Sequence, residues 1–120
     1  MTYPRDGIPF HDFGGDGLVI HFAHANGYPP ACYQQFVAPF LGQYRVLGMQ
    51  HRPLWPNAPQ PHGRNWLQFA DDIITFFEQQ GLKSVIGMGH SLGAIATLYA
   101  AIKRPDLFSQ LVLIEPVLLN

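Results

Sequence analysis

Short apolar runs alternate with longer stretches of helical spacing along this 120-residue chain, and no other feature restricts the fold as much. Leu18–Phe22, Tyr44–Gly48, Ser84–Met88 and Leu111–Ile114 each have the length and composition of a buried strand. Between them, Tyr33, Phe36, Val37 and Phe40 recur at spacings of three and four. Trp66, Phe69, Ala70, Ile73 and Phe77 make a longer stripe, with Asn65 placed to cap it and Gly81 to end it. Leu92 to Arg104 reads as a third helix, stopped by Pro105. Ile8–Phe13 adds an edge strand closed by the turn Gly14–Gly17, and the proline-rich loop Pro53–Pro61 is predicted to lack regular structure. Strands joined through helices imply right-handed crossovers and a mostly parallel sheet with helices on both faces. The predicted class is α/β.

Composition narrows what such a sheet can serve. Apolar residues make up 48% of the chain and charged residues 12%, which suits a single folded unit and excludes a disordered one. The formal net charge is −1 with the basic residues scattered, so there is no electrostatic footprint for nucleic acid or an anionic membrane. The longest apolar run, Ala94–Ile102, is too short for a membrane span. The opening residues carry no apolar leader segment. Cys32 stands alone, which suits a reducing compartment, and a cytoplasmic location is expected. Beside the Pro29–Pro30 turn, Cys32 is expected to be a small packing residue. A nucleotide-binding role is excluded by the lack of a glycine-rich phosphate loop ending in Lys-Ser/Thr.

Gly89-His90-Ser91-Leu92-Gly93 lies where a predicted strand meets a predicted helix. A serine on a sharp strand-to-helix turn needs small residues two positions to either side, because strand and helix must approach there. Its hydroxyl then stands at the carboxyl end of the sheet, where open α/β sheets bind ligands. The free N–H groups and positive dipole end of a helix N-terminus lie beside it, and the Leu92 N–H is the first donor available to a developing oxyanion. The plainer alternative is that Ser91 only caps the helix.

With these residues the chain resembles the N-terminal half of an α/β-hydrolase-fold protein, up to the strand after the nucleophile elbow. The resemblance covers nearly all of the 120 residues, as the N-terminal part of a single domain. It makes Ser91 the nucleophile toward an ester or similar acyl substrate. It also makes His24-Ala25-Asn26-Gly27-Tyr28-Pro29, after the strand Leu18–Phe22, the oxyanion loop. There Asn26 supplies the second N–H, or Ala25 or Gly27 if the alignment slips by one. The chain departs from the family in having Ala25 where glycine is usual. His24, Gly27 and His90 are expected to line the substrate pocket, with His24 bracing the loop through hydrogen bonds. Serine at the elbow argues against dehalogenase or epoxide-hydrolase chemistry, leaving esterase, lipase, thioesterase, C–C hydrolase and acyltransferase open.

The family's triad runs serine, acid, histidine along the chain. No histidine follows Ser91 here. His24 is a poor substitute base because no carboxylate is placed to orient it, and His90 is expected to pack beside the elbow. His21 and His24 make a poor metal pair, while His11, His51 and His62 are read as solvated. No metal or cofactor is called for. Glu115 ends the last strand and is read as a solvated strand-terminal residue. The chain is therefore expected to be cut within its domain and inactive alone, with Leu111–Ile114 an apolar edge open to pairing with another chain. The rival reading is a non-catalytic binding or scaffold protein of the same fold, for which the absent base would be native.

Overall fold

The computed structural model describes residues 3–55 and 66–116. Five strands form one sheet: β1 (Phe10–Gly14), β2 (Leu18–Ala23), β3 (Tyr44–Met49), β4 (Val85–His90) and β5 (Phe108–Ile114). Their order across the sheet is β1-β3-β2-β4-β5. All neighbours are parallel except β1, which runs antiparallel to β3 and occupies the edge expected of it. The predicted α/β class and the mostly parallel sheet are what the structure has.

Two apolar layers cover the sheet. Helix α2 (Trp66–Gln80) and helix α3 (Leu92–Lys103) pack on one face, where Phe69, Ile73, Phe76, Phe77, Val85 and Leu107 are buried together. The other face holds Phe13, Ile20, Phe22, Val46, Ile86 and Met88 under the short helix α1 (Gln34–Val37). β4 is buried at every position from Val85 to Gly89, because a central parallel strand is covered on both faces. α2 ends where Gly81 takes a left-handed φ of 67°, which ordinary side chains avoid.

Several boundaries differ from those read in the sequence. The stretch around α1 is a succession of 3-10 and α turns from Pro30 to Phe40; it buries Val37 but leaves Phe36 exposed. Pro-containing residues Arg52–Leu54 form a 3-10 turn, so the predicted irregular loop is regular at its start; proline is tolerated at the first position of such a turn. That loop beyond Trp55, with His62 and Asn65, and the segment after Pro116 lie outside the described residues. β5 begins at Phe108, three residues before the apolar run that announced it, and it occupies the sheet edge. Cys32 is exposed, not packed, because the 3-10 turn that carries it turns only Pro30 inward.

Candidate active site

The order of the sheet decides where a site can form. β2 lies between β3 and β4, and the chain leaves β2 toward β3 on one side while β4 returns on the other. The crevice outside the carboxyl ends of β2 and β4 is the switch point of this sheet. Ala23 pairs with Gly89 across it, so the loop after β2 and the turn after β4 emerge side by side.

Ser91 joins β4 to α3 with φ 56° and ψ −114°, a conformation that costs a non-glycine residue free energy and persists only where its surroundings impose it. The imposition is visible in the neighbours. A Cβ on Gly89 would stand 2.6 Å from the Gly93 carbonyl, and a Cβ on Gly93 would stand 2.0 Å from the Ala23 carbonyl oxygen. Strand, turn and helix touch through backbone alone. The Ser91 side chain makes no capping hydrogen bond to α3, although its carbonyl accepts the Ala94 N–H at 3.0 Å, so the hydroxyl is not used as a helix cap. The Ser91 N–H donates to the Ile114 carbonyl at 3.0 Å, tying the turn to the end of β5. Leu92, buried, is the first residue of the helix.

The loop after β2 is held from below by histidines. The His24 Nδ1–H donates to the Ala25 carbonyl at 2.7 Å, and its Nε2 accepts the His51 N–H at 2.9 Å. His51 returns the bond, its Nε2–H donating to the His24 carbonyl at 2.9 Å. His24 thus braces the loop, but with both ring nitrogens engaged and the ring buried it offers no free lone pair for a proton. His51, read as solvated in the sequence, is 2% exposed. It leaves β3 directly beneath the loop, and nothing in its local sequence marks a partner 27 residues away. Asn26 and Gly27 are exposed at the loop tip, where the Tyr28 N–H closes a turn onto the Ala25 carbonyl at 3.2 Å.

The Ala25 N–H is taken by the Tyr33 hydroxyl at 3.1 Å, so of the three donors open in the sequence reading this one is already engaged. Tyr33, counted in the sequence only as one of an apolar stripe, also reaches His90 Nδ1 at 2.9 Å. His90 Nε2 lies 3.7 Å from the exposed carboxylate of Glu115. Phe22, Tyr33, Phe36, His90 and Ile114 line an open apolar pocket of about 170 Å³ beside the turn. Of the residues expected to line a pocket, His90 lines this one; His24 and Gly27 do not.

Burial sets the protonation of the histidine cluster. It pushes the His21 imidazole down to about 3 and those of His24 and His51 down as well, with smaller contributions from their mutual repulsion at His21 and His51. His51 Nδ1 has no hydrogen-bond partner among the described residues, so a proton placed there would be buried without an acceptor. An unfolded chain takes these protons near pH 6.5, whereas the folded chain refuses the one on His21 until about pH 3. Stability from this source is full above pH 6.5 and falls as pH drops toward 3. By pH 4.5 the loss from His21 alone is about 3 kcal/mol. Thermal melting followed from pH 7.5 to 4.5 is expected to show a steady fall beginning near 6.5. A flat profile across that window would contradict the neutral buried cluster.

Among the described residues no group of three or more metal-binding side chains converges, and no helix is long and apolar enough to cross a membrane. No family model matches the chain. Karrikin insensitive 2 receptor B of Petunia hybrida is 30% identical over 106 residues, covering 85% of this chain and 39% of that protein. The (lyso)-N-acylphosphatidylethanolamine lipase of Bos taurus is 35% identical over 70 residues, 58% of this chain and 20% of that protein. The crystal structure of E-2-(acetamidomethylene)succinate hydrolase superposes with a TM-score of 0.74 at 24% identity over 85% of this chain. The chain belongs to the α/β-hydrolase fold. This α/β-hydrolase-fold chain spans 38% of that structure, and about two fifths or less of the two curated relatives.

Proposed function

We propose that the chain is the nucleophile-bearing part of a serine hydrolase that cleaves an ester or related acyl compound. The observation that carries this reading is the backbone of Ser91, held left-handed at the joint of β4 and α3 by contacts that only Gly89 and Gly93 permit. Relatives named as a lipase and a hydrolase agree with it.

In the proposed reaction the Ser91 Oγ bonds to the substrate carbonyl carbon as its proton passes to a base. The carbonyl electron pair becomes an oxyanion held by the N–H groups of Leu92 and Asn26. Collapse expels the leaving group, which takes the proton; water then adds to the acyl carbon as its proton passes to the base, and a second collapse breaks the bond to Ser91 Oγ, which takes that proton back. His24 and His90 are engaged elsewhere, so the proposal assigns the base and its orienting acid to residues outside this chain. A small-molecule acyl substrate follows from the same reading.

The experiment is labelling by a serine-directed phosphonate in the longest natural polypeptide that carries this segment. Ser91→Ala is expected to abolish labelling, a loss of at least about a thousandfold in rate. Undiminished labelling of that variant would overturn the assignment, and a well-folded parent that resists labelling altogether would favour a binding protein of the same fold.

A further inference from the structure

We infer that Tyr33 is a positioning residue: its hydroxyl sets the separation of the oxyanion loop from the nucleophile turn, and hence the aim of the two oxyanion donors. The inference rests on the serine-hydrolase reading of Ser91 and goes beyond it by naming the side chain that registers the two halves of the oxyanion site.

The Glu115 carboxylate, 3.7 Å from His90 Nε2, favours the tautomer with its proton there, and with it one direction for the chain of bonds. A phenol has one proton. The Ala25 N–H occupies one lone pair of the Tyr33 oxygen at 3.1 Å, so the phenol proton is free to go to His90 Nδ1 at 2.9 Å. His90 then carries its own proton on Nε2, on the side that faces the Glu115 carboxylate at 3.7 Å. Burial pushes the Tyr33 phenol above its ordinary value, so that proton is present at neutral pH.

One oxygen therefore joins two elements far apart in sequence. Ala25 immediately precedes Asn26, the proposed second donor, and His90 immediately precedes Ser91. The Tyr33 ring is itself fixed against Phe22, with centroids 4.4 Å apart, on the strand from which the loop departs. A donor acts only if it lies within hydrogen-bond reach of the place where negative charge develops, and a misplacement of about 1 Å costs on the order of a hundredfold. Phenylalanine at this position would keep the packing and lose only the link.

Two measurements test this. In the 120-residue chain, nitrogen NMR of His90 is expected to show the Nε2–H tautomer with a hydrogen-bonded Nδ1, and Tyr33→Phe is expected to abolish that signature and speed exchange of the Ala25 amide. In the longest natural polypeptide carrying the segment, Tyr33→Phe is expected to lower kcat by about 10- to 100-fold with KM within about twofold and melting nearly unchanged. An unchanged kcat, or a loss that tracks a lower melting temperature, would overturn the positioning role. Ser91-dependent labelling that proceeds at full rate in Tyr33→Phe would overturn this inference alone. Absence of Ser91-dependent labelling in the unmodified protein would overturn the hydrolase reading and this inference with it.

Discussion

Gly93→Ala is expected to unfold the chain or come close to it. In isolation the exchange favours folding, since alanine stabilises a helix by about 1 kcal/mol relative to glycine. At Gly93 the added methyl would lie 2.0 Å from the Ala23 carbonyl oxygen and 2.8 Å from that of His24. Both contacts are backbone, so no side chain can swing aside; α3 would have to lift from the end of β2. Relief of that kind costs more than about 4 kcal/mol, against the ~5–15 kcal/mol that holds a domain together. The clash wins over propensity. Urea denaturation followed by circular dichroism would measure it, and a variant melting at or above the parent's midpoint would show that strand and helix do not meet here. Gly87→Ala is the control: its methyl meets the Phe108 ring and the Thr97 side chain at 2.8 Å, groups that can move, and its cost should be smaller.

Arg52→Ala is expected to destabilise the fold by about 3–5 kcal/mol. Arg52 and Asp72 are both fully buried, and the guanidinium meets the carboxylate through Nε at 3.1 Å and Nη2 at 2.7 Å. Gln68 donates a further bond to Asp72 at 3.0 Å, and the Trp55 ring lies 4.5 Å from the guanidinium carbon. Burial pushes the Asp72 carboxyl up in spite of its partner, which marks how strongly the site resists a bare negative charge. Removing the cation alone leaves that charge behind. Replacing both residues, as in Arg52→Met with Asp72→Leu, should recover most of the loss, because an apolar pair needs no desolvation of ions. A loss in the double variant equal to the sum of the two single losses would mean that the pair is not coupled.

These two sites differ in how far the sequence announces them. The turn at Ser91 was legible because its geometry is enforced by residues two positions away, and the pattern Gly-His-Ser-Leu-Gly states the requirement in five letters. The α/β class was legible for a related reason, since strand and helix periods are local. Arg52 and His51 were not legible. Their partners are Asp72 and, through both its ring and its carbonyl, His24, and no local spacing encodes a bond that the sheet order creates. Tyr33 was hidden by its own apolar ring, which satisfies a helical stripe without revealing where its hydroxyl goes. The early start of β5 was missed because Ser109 and Gln110 break the apolar run, and an edge strand tolerates such residues where a central one does not.

The sheet order also divides the molecule along its centre. β2, α1 and β3 form one βαβ unit and β4, α3 and β5 another, and the strands of the two pair only where β2 meets β4. Every part of the proposed site straddles that seam: Asn26 belongs to the first unit, Ser91 to the second, and the Tyr33–His90 bond and the Gly93–Ala23 contact close the gap. Neither unit holds half an activity. During folding each can gain its local contacts early, whereas pairing β2 with β4 must close a long loop and comes at higher entropic cost. The site is thus assembled by the docking of the two units, and its geometry is a direct gauge of whether they have come together.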